Sequence, residues 1–142
     1  MKPTKALSFS TLLLLMLLNA SFSSQEKKGI EFFNGTLKEA LAKAKAEKKA
    51  VFFDAYAFWC GPCKNMELNV FTDQTLGNYF NEHFVSIRID MEKGEGPDLA
   101  RKFTSIDGYP SMLFLDNEGH VIKTLLGSRH TEDLLAEGKL VK

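Results

Sequence analysis

The segment from Val51 to Lys64 constrains the fold more than any other part of the chain. Val51-Phe52-Phe53-Asp54-Ala55-Tyr56 is a short, nearly continuous apolar run broken only by Asp54. A run of that length, apolar at both alternating sets of positions, predicts a central strand covered on both faces. It leads directly into Trp59-Cys60-Gly61-Pro62-Cys63-Lys64, where a helix is predicted from about Cys60 to Val70. Pro62 suits the first helical turn, because its missing N–H costs little there. Two cysteines at this spacing can close a disulfide across one turn. Cys60 at the helix N-terminus feels the positive end of the helix dipole and free backbone N–H groups, and both favour thiolate over thiol. An ordinary cysteine, with a pKa near 8.5, is only about 3% thiolate at pH 7; lowering the pKa to about 7 makes it roughly half thiolate. Cys63, one turn further in, is expected to be more buried and placed to attack a mixed disulfide at Cys60.

Spacing alone leaves two other readings of this pair open. One is a purely structural bridge, worth only about 2 kcal/mol for so small a loop. The other is half of a soft-metal site, for an ion such as Cu(I). Among possible further ligands, His83, His120 and His130 stand outside any ligand spacing.

The rest of the chain supplies elements on either side of this segment. Thr36 with Glu39 is a capping box that opens a helix carrying Leu37, Ala40, Leu41 and Ala44 at helical spacing. The lysines on its opposite face read as a solvated surface. A second helix is expected from Asp73 to about His83. Val85, Ile87 and Ile89 alternate with Ser86, Arg88 and Asp90, which predicts a half-buried strand. A loop at Gly94-Glu95-Gly96-Pro97 precedes a short helix over 98–103. Ser111–Leu115 and His120–Leu126 form a hairpin around Asp116-Asn117-Glu118-Gly119. Thr131 can cap a last helix through Leu135. Strands alternating with helices and ending in a hairpin predict an α/β fold, a central mixed β-sheet flanked by helices on both faces.

The N-terminus has a different character. Lys2 and Lys5 precede a mostly apolar stretch from Ala6 to Leu18, followed by Asn19-Ala20-Ser21-Phe22-Ser23-Ser24. This is the order of a secretory signal peptide. Residues 1–23 are assigned to it, with cleavage after Ala20 and retention as an uncleaved anchor as alternatives, and residues 24–142 form the mature domain. Without residues 1–23, 16 lysines and arginines face 18 acids, a net charge of −2. That balance gives no reason to expect nucleic acid as a partner. An exported chain meets an oxidising compartment, periplasmic or extracellular, and both cysteines survive cleavage.

Residues 50–127 resemble the thioredoxin family, and Trp59-Cys60-Gly61-Pro62-Cys63 matches the thioredoxin motif residue for residue. The resemblance implies a thioredoxin fold and an enzyme, a protein disulfide oxidoreductase that needs no cofactor and no metal. It implies that Cys60 is the nucleophile and Cys63 the resolving thiol. Asp54, six residues before Cys60, stands where thioredoxins hold a buried aspartate; burial would raise its pKa and let it take the proton from Cys63. A solvated aspartate at a strand end is the other reading of Asp54. Tyr109-Pro110 stands where the family carries a cis-proline, with a plain trans proline as the alternative. The resemblance further implies substrate binding by Trp59, Gly61, Pro62, Tyr109 and Pro110, with the backbone of Tyr109 pairing with a substrate strand. Phe58 and Ile106 are expected to join Trp59 and Tyr109 on an apolar rim.

There are departures. The lysine that thioredoxins pair with this aspartate should fall near Ser86 and is absent, so Asp54 is expected to be more readily neutral. The stretch 91–107 is longer than in a minimal thioredoxin. With Glu67-Leu68-Asn69-Val70-Phe71, it looks like the C-terminal periplasmic domain of DsbD-type thiol-reductant conduits, whose exported relatives carry an acidic helix-forming insertion after the third strand. The implied partners are protein thiols and disulfides and a membrane-embedded thiol donor. Reduction is the favoured direction, from the Gly61-Pro62 pair. A disulfide oxidase or isomerase, and a non-catalytic chaperone or soft-metal carrier, are the alternatives. Residues 24–49 and 128–142 match the family only in pattern. The acidic cluster Asp90, Glu92, Glu95 and Asp98 is not an EF-hand, because Glu95 and Arg101 occupy the places of the required glycine and glutamate.

Overall fold

The structure, a computed structural model, describes residues 29–141. The expected signal segment 1–23 lies outside the described residues, as do residues 24–28. The elements run α1 (Leu37–Glu47), β1 (Ala50–Tyr56), α2 (Gly61–Asn65), a π-helical turn (Met66–Val70), α3 (Gln74–His83), β2 (Phe84–Asp90), α4 (Gly96–Lys102), β3 (Ser111–Leu115), β4 (Val121–Leu126) and α5 (Thr131–Val141). The sheet order is β2-β1-β3-β4. β1 pairs parallel with β2 and antiparallel with β3, and β3 pairs antiparallel with β4. Phe32 adds a single parallel bridge to Ser86 on the outer side of β2. Counting that bridge as a rudimentary first strand, the segment from Met91 follows the third.

The period of two in β1 divides the core. Val51, Phe53 and Ala55 join Leu37, Ala40 and Ala44 of α1 and Leu99 of α4 on one face. Phe52 faces the other way, with Met66, Phe80, Met112, Phe114 and Leu134. Phe52 sits edge-on to Phe80 at 4.9 Å and against Phe114 at 5.3 Å between centroids, and Phe80 meets Phe84 at 5.1 Å. Such pairs add about 0.5–1.5 kcal/mol each beyond the area they bury. Asp54, two residues after Phe52, is carried to this same face.

The structure moves several expected boundaries. The predicted helix from Cys60 to Val70 is two pieces: α2 ends at Asn65, and Phe71 then donates its N–H to the Met66 carbonyl at 2.9 Å, the wider loop of a π turn. β2 is not half-buried, because Ser86 is buried and Arg88 is largely covered; both faces of β2 carry packing elements. α4 begins at Gly96, with Pro97 in its first turn. α5 starts at Thr131, so this residue is inside the helix, and the helix runs to Val141 rather than Leu135. Thr36 makes the expected reciprocal cap with Glu39, and Asp73 caps α3 by accepting from the Leu76 N–H at 2.8 Å.

α3 also anchors the first described residues. Asn81 donates to the Gly29 carbonyl at 3.0 Å and accepts from the Glu31 N–H at 2.8 Å. Gly77 lies against that strap so closely that a Cβ there would stand 2.2 Å from the Gly29 backbone. Alanine is the better helix former by about 1 kcal/mol, but overpacking costs about 1–3 kcal/mol. Gly77→Ala should therefore lower the unfolding free energy by a net amount of up to about 2 kcal/mol, read by urea denaturation. A gain in stability would show that the Gly29 strap yields without cost.

Candidate active site

β1 delivers the site. Beyond Tyr56 the chain turns, with the Cys60 N–H on the Ala57 carbonyl at 3.0 Å, and Cys60 becomes the N-cap of α2 in extended backbone geometry. Cys60 and Cys63 are joined in a disulfide, with Cα atoms 5.3 Å apart. The Cys63 N–H points at Cys60 Sγ at 3.2 Å. In the reduced protein this donor and the α2 N-terminus can stabilise negative charge on that sulfur. The two residues are almost equally covered, 5% and 2% exposed, so the expected contrast in burial is small. A cleft of about 160 Å³ reaches them, lined also by Tyr56, Phe58, Glu67 and Arg88.

The rim is uneven. Phe58 and Trp59 are 65% and 62% exposed. The Trp59 indole donates to Glu92 Oε1 at 2.9 Å and meets the Tyr109 ring edge-on at 6.2 Å, while Lys93 lies 4.8 Å from the centre of the Phe58 ring. The start of the long segment after β2 thus grips both aromatics. Tyr109 packs against Ala57, Cys60 and Cys63. Burial, and then the charges of Glu92 and Asp90, push its phenol above the ordinary range. The Tyr109–Pro110 peptide bond is cis, and Pro110 is buried just before β3. Ile106, like Tyr109, packs against the α1–α4 side of the core, and it is not among the residues around the cysteines. Gly61 and Pro62 are exposed, and nothing lies within 4 Å of where a Gly61 side chain would start. Among the described residues no three His, Cys, Asp or Glu side chains gather as a metal-binding group.

Asp54 is 1% exposed, which removes the solvated alternative, but it is not without a cation. Arg88 stands directly opposite Asp54 in the parallel β1–β2 register and donates from Nε to Asp54 Oδ2 at 2.7 Å. The lysine expected near Ser86 is replaced by an arginine two residues along the same strand face. The guanidinium also meets Glu67 at 3.2 Å and lies over the rings of Tyr56 at 4.5 Å, Phe71 at 5.5 Å and Phe32 at 5.6 Å. Asp54 Oδ1 is buried with no hydrogen-bond partner. Burial raises the Asp54 carboxyl from an ordinary 3.8 to about 6, against the pull of Arg88 and with a further push from Glu67. Burial opposes the charge on Arg88, but Asp54 and Glu67 more than offset it and hold its pKa above the usual value.

Sequence reading missed Arg88, Glu67 and Glu92. Alternation places Arg88 with Ser86 and Asp90 on the polar face of a half-buried strand, and the structure covers that face. Glu67 and Glu92 carry no local signal that points to their partners.

Residues 33–117 match the family described as Thioredoxin-like. The chain is 33% identical over 118 residues to the thiol:disulfide interchange protein DsbD of Actinobacillus pleuropneumoniae, a match covering 80% of this chain and 19% of that one. It therefore spans less than a fifth of that relative's length. Among solved structures, a candidate disulphide-isomerase from Bacteroides thetaiotaomicron is 41% identical with a TM-score of 0.71, covering 80% of this chain and 93% of that one. The reduced DsbD C-terminal domain of Neisseria meningitidis is 25% identical with a TM-score of 0.62, covering 75% and 94%.

The raised carboxyl sets a pH dependence of stability. Between its unfolded value of 3.8 and its folded value of about 6, Asp54 binds more protons folded than unfolded. Its contribution is therefore complete below the unfolded pKa and is lost as pH rises through the folded one. Relative to Asp54→Asn, the oxidised wild-type protein should lose about 3 kcal/mol of unfolding free energy between pH 3 and pH 8. Denaturant titrations of both proteins across that range check it, and parallel curves would refute it.

Proposed function

The chain belongs to the thioredoxin-like family, and we propose that it is an exported thiol–disulfide oxidoreductase that reduces protein disulfides through Cys60 and Cys63. The observation that carries this reading is the Cys60–Cys63 disulfide lining a cleft, with a backbone N–H aimed at Cys60 Sγ. In the reduced protein the Cys60 thiolate attacks a substrate disulfide, forms a mixed disulfide and expels one substrate thiolate. Cys63 then attacks Cys60 Sγ. The bond between Cys60 and the substrate breaks, the second substrate thiolate leaves, and Asp54 accepts the Cys63 proton. Two electrons pass from the cysteine pair to the substrate.

In this reading a substrate strand pairs with the backbone of Tyr109 just before the cis bond to Pro110, and Trp59, Gly61 and Pro62 form the exposed side of the contact. The signal-like residues 1–23 support export to the periplasm or beyond. Among the described residues no helix is long and apolar enough to cross a membrane. Turnover then requires an outside source of dithiol, and a membrane-embedded thiol conduit fits that need. Similarity to the interchange protein DsbD and to its C-terminal domain supports a place in such a relay. Similarity at 41% identity to a candidate disulphide-isomerase favours isomerisation as the second reading.

Cys63→Ser should accumulate mixed disulfides through Cys60 in the compartment where the protein resides, detected by non-reducing gels and mass spectrometry. A chaperone or metal carrier would keep its partners and trap none. Equilibration of wild-type protein with defined thiol buffers should give a reduction potential nearer the roughly −270 mV of a reducing thioredoxin than the roughly −120 mV of a strong oxidant. A value at the oxidising end would reverse the direction proposed, and an intermediate one with efficient reshuffling of scrambled substrates would make it an isomerase.

A further inference from the structure

Arg88 is built in more tightly than an ion-pair partner of Asp54 requires. Its side chain is only 12% exposed and is enclosed by Tyr56, Phe32 and Phe71. One edge of the guanidinium donates to Asp54 Oδ2, and a terminal nitrogen reaches Glu67, whose side chain is half exposed. A planar fork tied at two places and stacked on aromatic faces cannot swing away as a lysine can. It also stays charged at any pH the protein meets and takes no part in proton exchange. The cleft that reaches Cys60 and Cys63 is lined by Arg88 and Glu67.

We propose that Arg88 is a positioning residue of the exchange reaction: bridged between Asp54 and Glu67, it holds Asp54 by Oδ2 and leaves Oδ1 to take the proton that Cys63 sheds. This rests on the oxidoreductase reading above. Asp54 Oδ1 is the buried oxygen without a partner, so it is the one free to receive a proton. In the step, Cys63 Sγ bonds to Cys60 Sγ and the bond from Cys60 to the substrate breaks. The substrate leaves as a thiolate, and the Cys63 proton moves to Asp54 Oδ1. Glu67 steadies Arg88 from the solvent side and, through its own charge, opposes ionisation of Asp54. The charged groups that act on Asp54 are Arg88 on β2 and Glu67 on the π turn; the cleft beside them is lined also by Tyr56 on β1, Cys60 at the N-cap of α2, and Cys63 and Lys64 within it. From β3 the neighbour in register is Met112, which carries no charge.

The test uses the full mature protein and two readouts. Carbon-13 NMR titration of the Asp54 carboxyl in the oxidised protein gives its midpoint. The release of thionitrobenzoate from a mixed disulfide preformed on Cys60 gives the pH profile of resolution. Arg88→Gln should raise the Asp54 midpoint by about one pH unit or more and carry the profile up with it. Arg88→Lys, which keeps the charge but not the fork, should return the midpoint most of the way. Glu67→Gln should move both readouts down, and it leaves the stacked arginine in place should Arg88→Gln fail to fold. Opposite shifts from the two sites support the proposal. An Asp54 midpoint that neither variant moves, or a pH profile that does not follow the midpoint, overturns it. A mixed disulfide that does not resolve even in the wild-type protein overturns the oxidoreductase reading as well, which separates that failure from one confined to Arg88.

Discussion

The organisation of this protein depends on one constraint: β1 is covered on both faces, so a carboxylate placed within it has no route to water. Alternation sends Val51, Phe53 and Ala55 to one apolar layer and Phe52 and Asp54 to the other. A charge in that position is tolerated only if it is paired or neutralised. The fold uses part of each solution. Arg88 arrives in register from β2, yet burial still prevails and lifts the carboxyl to about 6. The outcome is a buried acid, raised to about 6, in the strand that leads into the cysteine pair.

The same constraint organises the surroundings. Arg88 is itself poorly solvated and needs more than one counter-charge. Glu67 supplies the second from the π turn, and three aromatic rings occupy the remaining space around the guanidinium. The wider turn at Met66–Val70 matters here, because it lets the chain re-phase after α2 while Met66 and Val70 stay in the core and Glu67 stays at the cleft. On the other side of Cys60, Glu92 and Lys93 hold Trp59 and Phe58 at the surface. The long segment after β2 is therefore part of the aromatic surface beside Cys60 and not an appendage to it.

What could be read from the sequence was what local pattern encodes. The apolar run of β1, the Cys-Gly-Pro-Cys helix start, the Thr36 capping box and the hairpin turn after β3 each lie within a few residues of their own signal. Arg88 was misjudged because alternation says which residues share a face, not whether anything covers that face. The Asp54–Arg88 pair depends on inter-strand register, which Ala50 and Phe84 set by pairing far apart in sequence. The π turn escaped because it differs from an α-helix by one residue per loop, within the tolerance of any apolar periodicity. Glu92 on Trp59 is a contact across 33 positions with no compositional trace.

The disulfide has a further consequence. Its two ends are three residues apart, inside a single turn of chain, whereas the contacts that hold the architecture together are the pairings of β1 with β2 and β3. Opening the bridge releases a loop too short to have constrained the unfolded chain by more than about 2 kcal/mol. Oxidation state and topology are thus uncoupled: electrons can enter and leave the cysteine pair while the sheet beneath it stays intact.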